Sequence, residues 1–165
     1  MSEAADREEV WKDFLDLWER LLAETNRSGA VVVVEGERDR RSLRHLGVHG
    51  PIALVHRGAP LSSVAGALVA RGRRVIVLTD WDGAGGRFAQ RFREFLAAER
   101  IEFDLEFRRR LAHALRSEVV HVEGLAGWAR RMAERQGTPL DEVVRSLRLS
   151  AEPSAVEPGR RGVTG

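Results

Sequence analysis

The chain contains no cysteine and no tyrosine, and its only lysine is Lys12. Without cysteine there can be no disulfide, no thiolate zinc site and no cysteine nucleophile. Without tyrosine, no phenolic oxygen can form a covalent intermediate. No apolar run approaches the roughly 20 residues that a membrane helix requires. The opening Met1-Ser2-Glu3-Ala4-Ala5-Asp6 lacks the basic start and apolar centre of a signal peptide. A cytoplasmic protein with no membrane partner is expected.

What is present is ordinary for a globular domain: 165 residues, 43% hydrophobic and 32% charged. That length suits one domain with a real core. The isoelectric point near 10.2 overstates a net charge of only +2. With no tyrosine or cysteine and a single lysine, little titrates between histidine and arginine, so the charge curve is flat there. Residues 1–25 carry 8 acidic and 3 basic groups, and residues 26–165 carry 17 and 24. The body is therefore mildly cationic and rich in arginine. That suits a polyanionic partner, and it equally suits a GC-rich or heat-adapted genome.

Residues 7–25 read as an amphipathic helix, with Trp11, Phe14, Leu15, Trp18, Leu21 and Leu22 on one stripe. This helix (1–27 with its flanks) is expected to pack on the core. Apolar runs at 30–34, 52–55 and 75–79 read as buried parallel strands, and Val119–Val122 reads as a fourth core strand. The alternating stretch 101–105 reads as an edge strand. Helices are expected at 39–46, 60–70, 88–99, 107–115 and 125–134, with a last one from Pro139 to Leu149 capped by Thr138. A core domain thus spans 28–125 and C-terminal helices span 126–149. Residues 150–165, rich in proline and glycine, are expected to form a disordered tail. Alternating strands and helices imply right-handed crossovers, hence an α/β fold with a parallel sheet of about four strands sandwiched by helices.

The chemistry lies where two of these strands stop. Val31–Val34 ends in Glu35-Gly36-Glu37-Arg38-Asp39, and Val75–Thr79 ends in Asp80-Trp81-Asp82-Gly83-Ala84-Gly85-Gly86. In an open parallel sheet, sites form outside the carboxyl ends of the strands. Asp80 and Asp82, two apart, share a side if the backbone stays extended. Clustered carboxylates repel unless a cation neutralises them, and an oxygen-only donor set selects Mg²⁺ or Mn²⁺. Asp82 before Gly83 also reads as a helix N-cap, and Asp39 as the cap of its own helix. Trp81 either stacks on a base or covers the sheet edge. His121 reads as a core or edge residue of its strand, and Glu123 as an outer carboxylate.

These segments resemble a known family. Val33-Val34-Glu35-Gly36-Glu37-Arg38-Asp39 is similar to the first motif of the toprim domain, and Leu78-Thr79-Asp80-Trp81-Asp82-Gly83-Ala84-Gly85 to its D-x-D motif. The resemblance spans about residues 28–125 and implies the Rossmann-like toprim sheet. It also implies that Glu35 is a catalytic acid/base or metal ligand and that Asp80 and Asp82 hold one or two Mg²⁺ ions, with Mn²⁺ an alternative. The chain lacks the tyrosine of topoisomerases, the cysteine zinc module of bacterial-type primases and the nucleotide-binding motif of overcoming-lysogenization nucleases. It looks most like small stand-alone, primase-like toprim proteins found mainly in archaea, with the 5S ribosomal RNA maturation ribonuclease a more distant relative.

The implied function is Mg²⁺-dependent chemistry on the phosphodiesters of RNA or DNA, of nuclease or nucleotidyl-transfer type. The alternative is a non-catalytic metal- and nucleic-acid-binding module working with a protein partner. A phosphoryl acceptor with Asp80 as nucleophile lacks the lysine such sites need and gives Glu35 no role. With lysine missing, phosphate contacts fall to Arg38, Arg57, Arg87 and the run Arg108-Arg109-Arg110. Arg87 stands at a helix N-terminus among glycines, where free N–H groups favour an anion.

Overall fold

The computed structural model of the chain describes residues 2–56, 60–62, 64, 68, 74–115 and 118–152. Four strands, β1 (Val31–Val34), β2 (Ile52–Leu54), β3 (Val75–Val77) and β4 (Phe103–Asp104), form one sheet in the order β2-β1-β3-β4. All three pairings are parallel, with Val32 opposite both Ile52 and Ile76 and Val75 opposite Phe103. The chain is thus an α/β protein with a parallel, Rossmann-like sheet flanked by helices, as its alternating pattern predicts.

The period of two sorts the strand residues onto the two faces of the sheet. Val32, Val34, Ile76 and Leu78 pack into one core, while Val31, Val33, Val75 and Val77 pack into the other. Helix α1 (Glu3–Leu22) covers the first face together with α2 (Glu37–His45), α4 (Glu106–Leu115), α5 (Leu125–Arg135) and α6 (Leu140–Ala151). Helix α3 (Gly83–Ala98) covers the second through Phe88, Phe92 and Leu96.

The N-terminal helix is integral to the first core. Trp11, Phe14 and Trp18 stack in a row, and Trp128 of α5 meets both Trp11 and Phe14 edge-on at 5.7 and 5.0 Å between ring centres. Burying each such ring contributes roughly 1.5–3 kcal/mol. Each buried indole also needs a partner for its N–H. Trp18 Nε1 donates to the Leu46 carbonyl at 2.8 Å, and Trp128 Nε1 donates to Glu118 at 2.7 Å. At the far end of α1 the chain widens into a π-helical turn, Ala23–Arg27. Glu24 of that turn ion-pairs with Arg74, which also holds Asp104 of β4 at 2.6 Å. One guanidinium therefore ties the N-terminal helix to the edge of the sheet.

Several boundaries differ from expectation. Helix α1 starts at Glu3, because Ser2 caps it through a bond to the Ala5 N–H. Thr138 is not the cap of the last helix: Pro139 holds that position, and the helix runs to Ala151, past the expected start of the tail. Most of the expected helix 60–70, the loop residue Arg57 and the tail from 153 lie outside the described residues.

The larger correction is Val119–Val122, which forms no strand. Both β1 and β3 already have neighbours on each side, so no ladder is vacant beside them. The segment is extended without a strand's alternation: Val119 and Val122, three apart, are buried in the first core and Val120 between them is exposed. Its partner, however, is the loop after β3 rather than a strand. Among the described residues, no helix is long and apolar enough to cross a membrane.

Candidate metal centre

After β1 the chain turns to β2 on one side, and it later returns to β3 on the other. The gap between the carboxyl ends of β1 and β3 is therefore the topological switch point, where open α/β sheets place their sites. Glu35 follows β1 there directly, and Asp80 lies three residues past β3. Glu35, Arg38, Asp39, His56, Asp80 and Glu123 line one open cleft of about 390 Å³.

Asp80 and Asp82 are held by backbone donors. Asp80, 9% exposed, accepts the Val122 N–H on Oδ1 at 2.8 Å. Asp82 is the N-cap of α3 and accepts the Gly85 N–H on Oδ1 at 2.6 Å. Both carboxylates then present Oδ2 to one imidazole nitrogen: His121 Nδ1 lies 3.2 Å from Asp80 Oδ2 and 3.7 Å from Asp82 Oδ2. One donor atom from each of Asp80, Asp82 and His121 can be chosen so that all lie within 4.8 Å of one another. Two oxygens and a nitrogen at that spacing fit a small divalent cation. Asp82 thus fills both roles the sequence left open, cap and candidate ligand. Glu35 lines the cleft with Asp80, while the close set of possible ligands comprises Asp80, Asp82 and His121.

His121 is the residue that sequence reasoning misplaced, and Trp81 explains its position. The Trp81 backbone N–H donates to the Val120 carbonyl at 3.1 Å, and its indole Nε1 donates to the Val119 carbonyl at 2.6 Å. This double clasp lays residues 119–122 alongside 80–82 and delivers His121 to the carboxylates. Of the two readings of Trp81, the structure supports packing: the ring lies against the first core. Replacing Trp81 by phenylalanine keeps an aromatic ring, though a smaller one, and removes the indole donor, stranding the carbonyl of the buried Val119. We expect a loss of about 1–2 kcal/mol in stability with a several-fold weaker cation affinity as His121 drifts. Thermal melts and metal titration of W81F would measure both.

The arginines divide. Arg108, half-buried, donates from Nε to the Thr79 carbonyl at 3.1 Å and from Nη2 to the Asp80 carbonyl at 2.8 Å. Burial lowers its pKa, while Glu35, Asp80 and Asp82 oppose that fall. It is the built-in countercharge of the acids. Arg109 and Arg110 pair instead with Glu106, and they line a separate depression against Asp13, Asp16 and Arg20 of α1. The expected three-arginine stripe therefore does not face the acids as a unit. Arg38 lines the cleft, and Arg87 is exposed on the first turns of α3, where its Nη1 lies 3.5 Å from the position a Gly83 side chain would take.

Asp39 joins two of the site's turns. It accepts the Gly36 N–H on Oδ2 and the Glu123 N–H on Oδ1, both at 3.0 Å. Burial raises its pKa, and Glu35 and Glu123 push the same way against those two hydrogen bonds. A raised value means the native state keeps this proton to higher pH. The group's contribution to folding is therefore fullest below the ordinary carboxylate range and is lost as pH rises through the folded value.

No family model matches the chain. It is 31% identical over 137 residues to a UPF0292 protein of Methanosarcina acetivorans, covering 81% of this chain and 94% of that one. It is 34% identical over 119 residues to a UPF0292 protein of Thermococcus gammatolerans, covering 72% and 85%. Among solved structures, a putative protein from Aquifex aeolicus matches with a TM-score of 0.54 and 27% identity, over 64% of this chain and 93% of that one. That likeness supports the α/β architecture.

Proposed function

We propose that this chain, which belongs to the UPF0292 family, is a toprim protein that uses Mg²⁺ or Mn²⁺ to act on the phosphodiester bonds of RNA or DNA in the cytoplasm. One observation carries the reading: two parallel, adjacent strands end in acids at the switch point, so that Glu35 and Asp80 line a single cleft. Asp80 and Asp82 hold the cation in this reading, each with its other oxygen fixed by a backbone N–H. A bound divalent ion supplies Lewis-acid polarisation of a phosphoryl oxygen. Glu35, on the same rim, moves the proton as general acid or base. In this reading Arg38, which lines the cleft, and Arg87, exposed on the first turns of α3, meet phosphate oxygens, and Arg108 keeps the acids from driving one another apart.

The test is degradation of labelled structured RNA and of single- and double-stranded DNA with Mg²⁺ or Mn²⁺, comparing wild type with Glu35→Gln and Asp80→Asn. The expected result is metal-dependent cleavage that falls by at least about a thousandfold in both variants. Retained nucleic-acid binding with no turnover by wild type would overturn the catalytic reading and assign a binding module that works with a partner.

A further inference from the structure

We infer that His121 is a direct ligand of the cation and gives the site a preference for Mn²⁺ over Mg²⁺. The inference rests on reading this rim as a divalent-cation centre, and it names a ligand that neither strand-end motif contains. Each carboxylate has Oδ1 fixed by a backbone N–H and Oδ2 turned toward His121 Nδ1. Fixed outer contacts of this kind orient ligands toward a shared metal. The two distances of 3.2 and 3.7 Å place Nδ1 near both oxygens. In an octahedral shell of roughly 2.1 Å radius, neighbouring ligand atoms stand about 3 Å apart. A cation seated among these three atoms therefore needs only small side-chain shifts.

The donor type sets the preference. Mg²⁺ is a hard ion that takes oxygen, whereas imidazole nitrogen suits first-row transition ions. An all-carboxylate rim would leave the two ions close in affinity, and one imidazole favours Mn²⁺. His121 is about half exposed, and its neutral ring can carry the proton on Nδ1, bonded to Asp80, when no ion is bound, and on Nε2 when Nδ1 gives its lone pair to the ion. His56 lines the cleft with Asp80 and is the other imidazole that could supply nitrogen, which makes it the necessary control.

The experiment is Mn²⁺ titration followed by electron paramagnetic resonance, with pulsed measurement of ¹⁴N coupling to the bound ion. Wild type, His121→Asn, His56→Asn and Asp80→Asn would be compared, with Mg²⁺ competition and a circular dichroism melt for each. Imidazole-type ¹⁴N coupling is expected in wild type and His56→Asn and is expected to vanish in His121→Asn. Mn²⁺ affinity of His121→Asn should fall roughly tenfold with Mg²⁺ affinity nearly unchanged. Tight Mn²⁺ binding by wild type that shows no imidazole nitrogen would overturn the ligand assignment and leave the metal centre standing. So would coupling that survives in a folded His121→Asn. Mn²⁺ binding that is absent in wild type, or undiminished in Asp80→Asn, would overturn the metal centre itself.

Discussion

Asp80→Asn is expected to abolish cation binding while leaving the fold intact, with at least a hundredfold loss of Mg²⁺ and Mn²⁺ affinity. The side-chain contacts explain why the two effects separate. The Asp80 Oδ1 that accepts the Val122 N–H at 2.8 Å survives as an amide oxygen. The Oδ2 that faces His121 becomes an NH₂ group, which offers hydrogens where a cation needs a lone pair. Without metal, the substitution also removes one negative charge from a rim that already holds Glu35 and Asp82. The melting temperature in chelator should therefore stay level or rise slightly. The sign reverses when metal is added. A ligand at 100 times its dissociation constant stabilises the native state by about 2.7 kcal/mol, and Asp80→Asn forfeits that gain. Asp80→Ala should behave differently in chelator, because it strands the buried Val122 N–H and loses about 1–3 kcal/mol with or without metal. Melts of both variants with and without Mn²⁺ separate charge from hydrogen bonding. A metal-induced shift that persists in Asp80→Asn would remove Asp80 from the centre.

Much of this rim could be read from the chain because it depends on local spacing. A run such as Val31–Val34 has no polar side, which forces burial on both faces, and the two cores divide it residue by residue. Acids at the ends of such runs then fall at the sheet's carboxyl edge, whatever the details of the helices. His121 was not legible in the same way. Its place depends on two hydrogen bonds from Trp81, about 40 positions earlier, and the short apolar run of Val119 to Val122 describes a buried strand equally well. The arginine run divides for a related reason. Successive helical residues point about 100° apart, so Arg108 reaches the end of β3 while Arg109 and Arg110 meet Glu106 instead. Which of them meets the acids depends on how α4 is rotated against β3. Composition carries no information about that rotation.

Gly85→Ala is expected to be the most damaging single-methyl change at this rim, destabilising the protein by about 2–4 kcal/mol. A Cβ at Gly85 would lie 1.9 Å from the Asp80 carbonyl oxygen and 2.9 Å from Asp82 Oδ1. The first of these contacts is with backbone that cannot rotate aside. That carbonyl is also held by Arg108 Nη2 at 2.8 Å, so relief must come from moving the start of α3 outward. Moving it breaks the cap bond from Gly85 N–H to Asp82 and the bond from Thr79 Oγ1 to the Gly85 carbonyl. Forced overpacking alone is worth about 1–3 kcal/mol, and a lost N-cap adds roughly 1 kcal/mol. For a chain of this size the melting temperature should fall by roughly 5–15 °C. The cation centre should suffer with it, because Asp82 loses the donor that aims its carboxylate. The neighbouring glycines supply the controls. A Cβ at Gly83 meets only Arg87 Nη1 at 3.5 Å, and one at Gly86 meets only Arg108 Nη2 at 3.8 Å. Both are helical, so alanine there should be neutral or stabilising by up to about 1 kcal/mol. Equal damage from all three substitutions would mean that this turn needs glycine flexibility for binding. Damage confined to Gly85→Ala would mean that α3 is pressed onto the Asp80 backbone, and that this close approach holds the two carboxylates together.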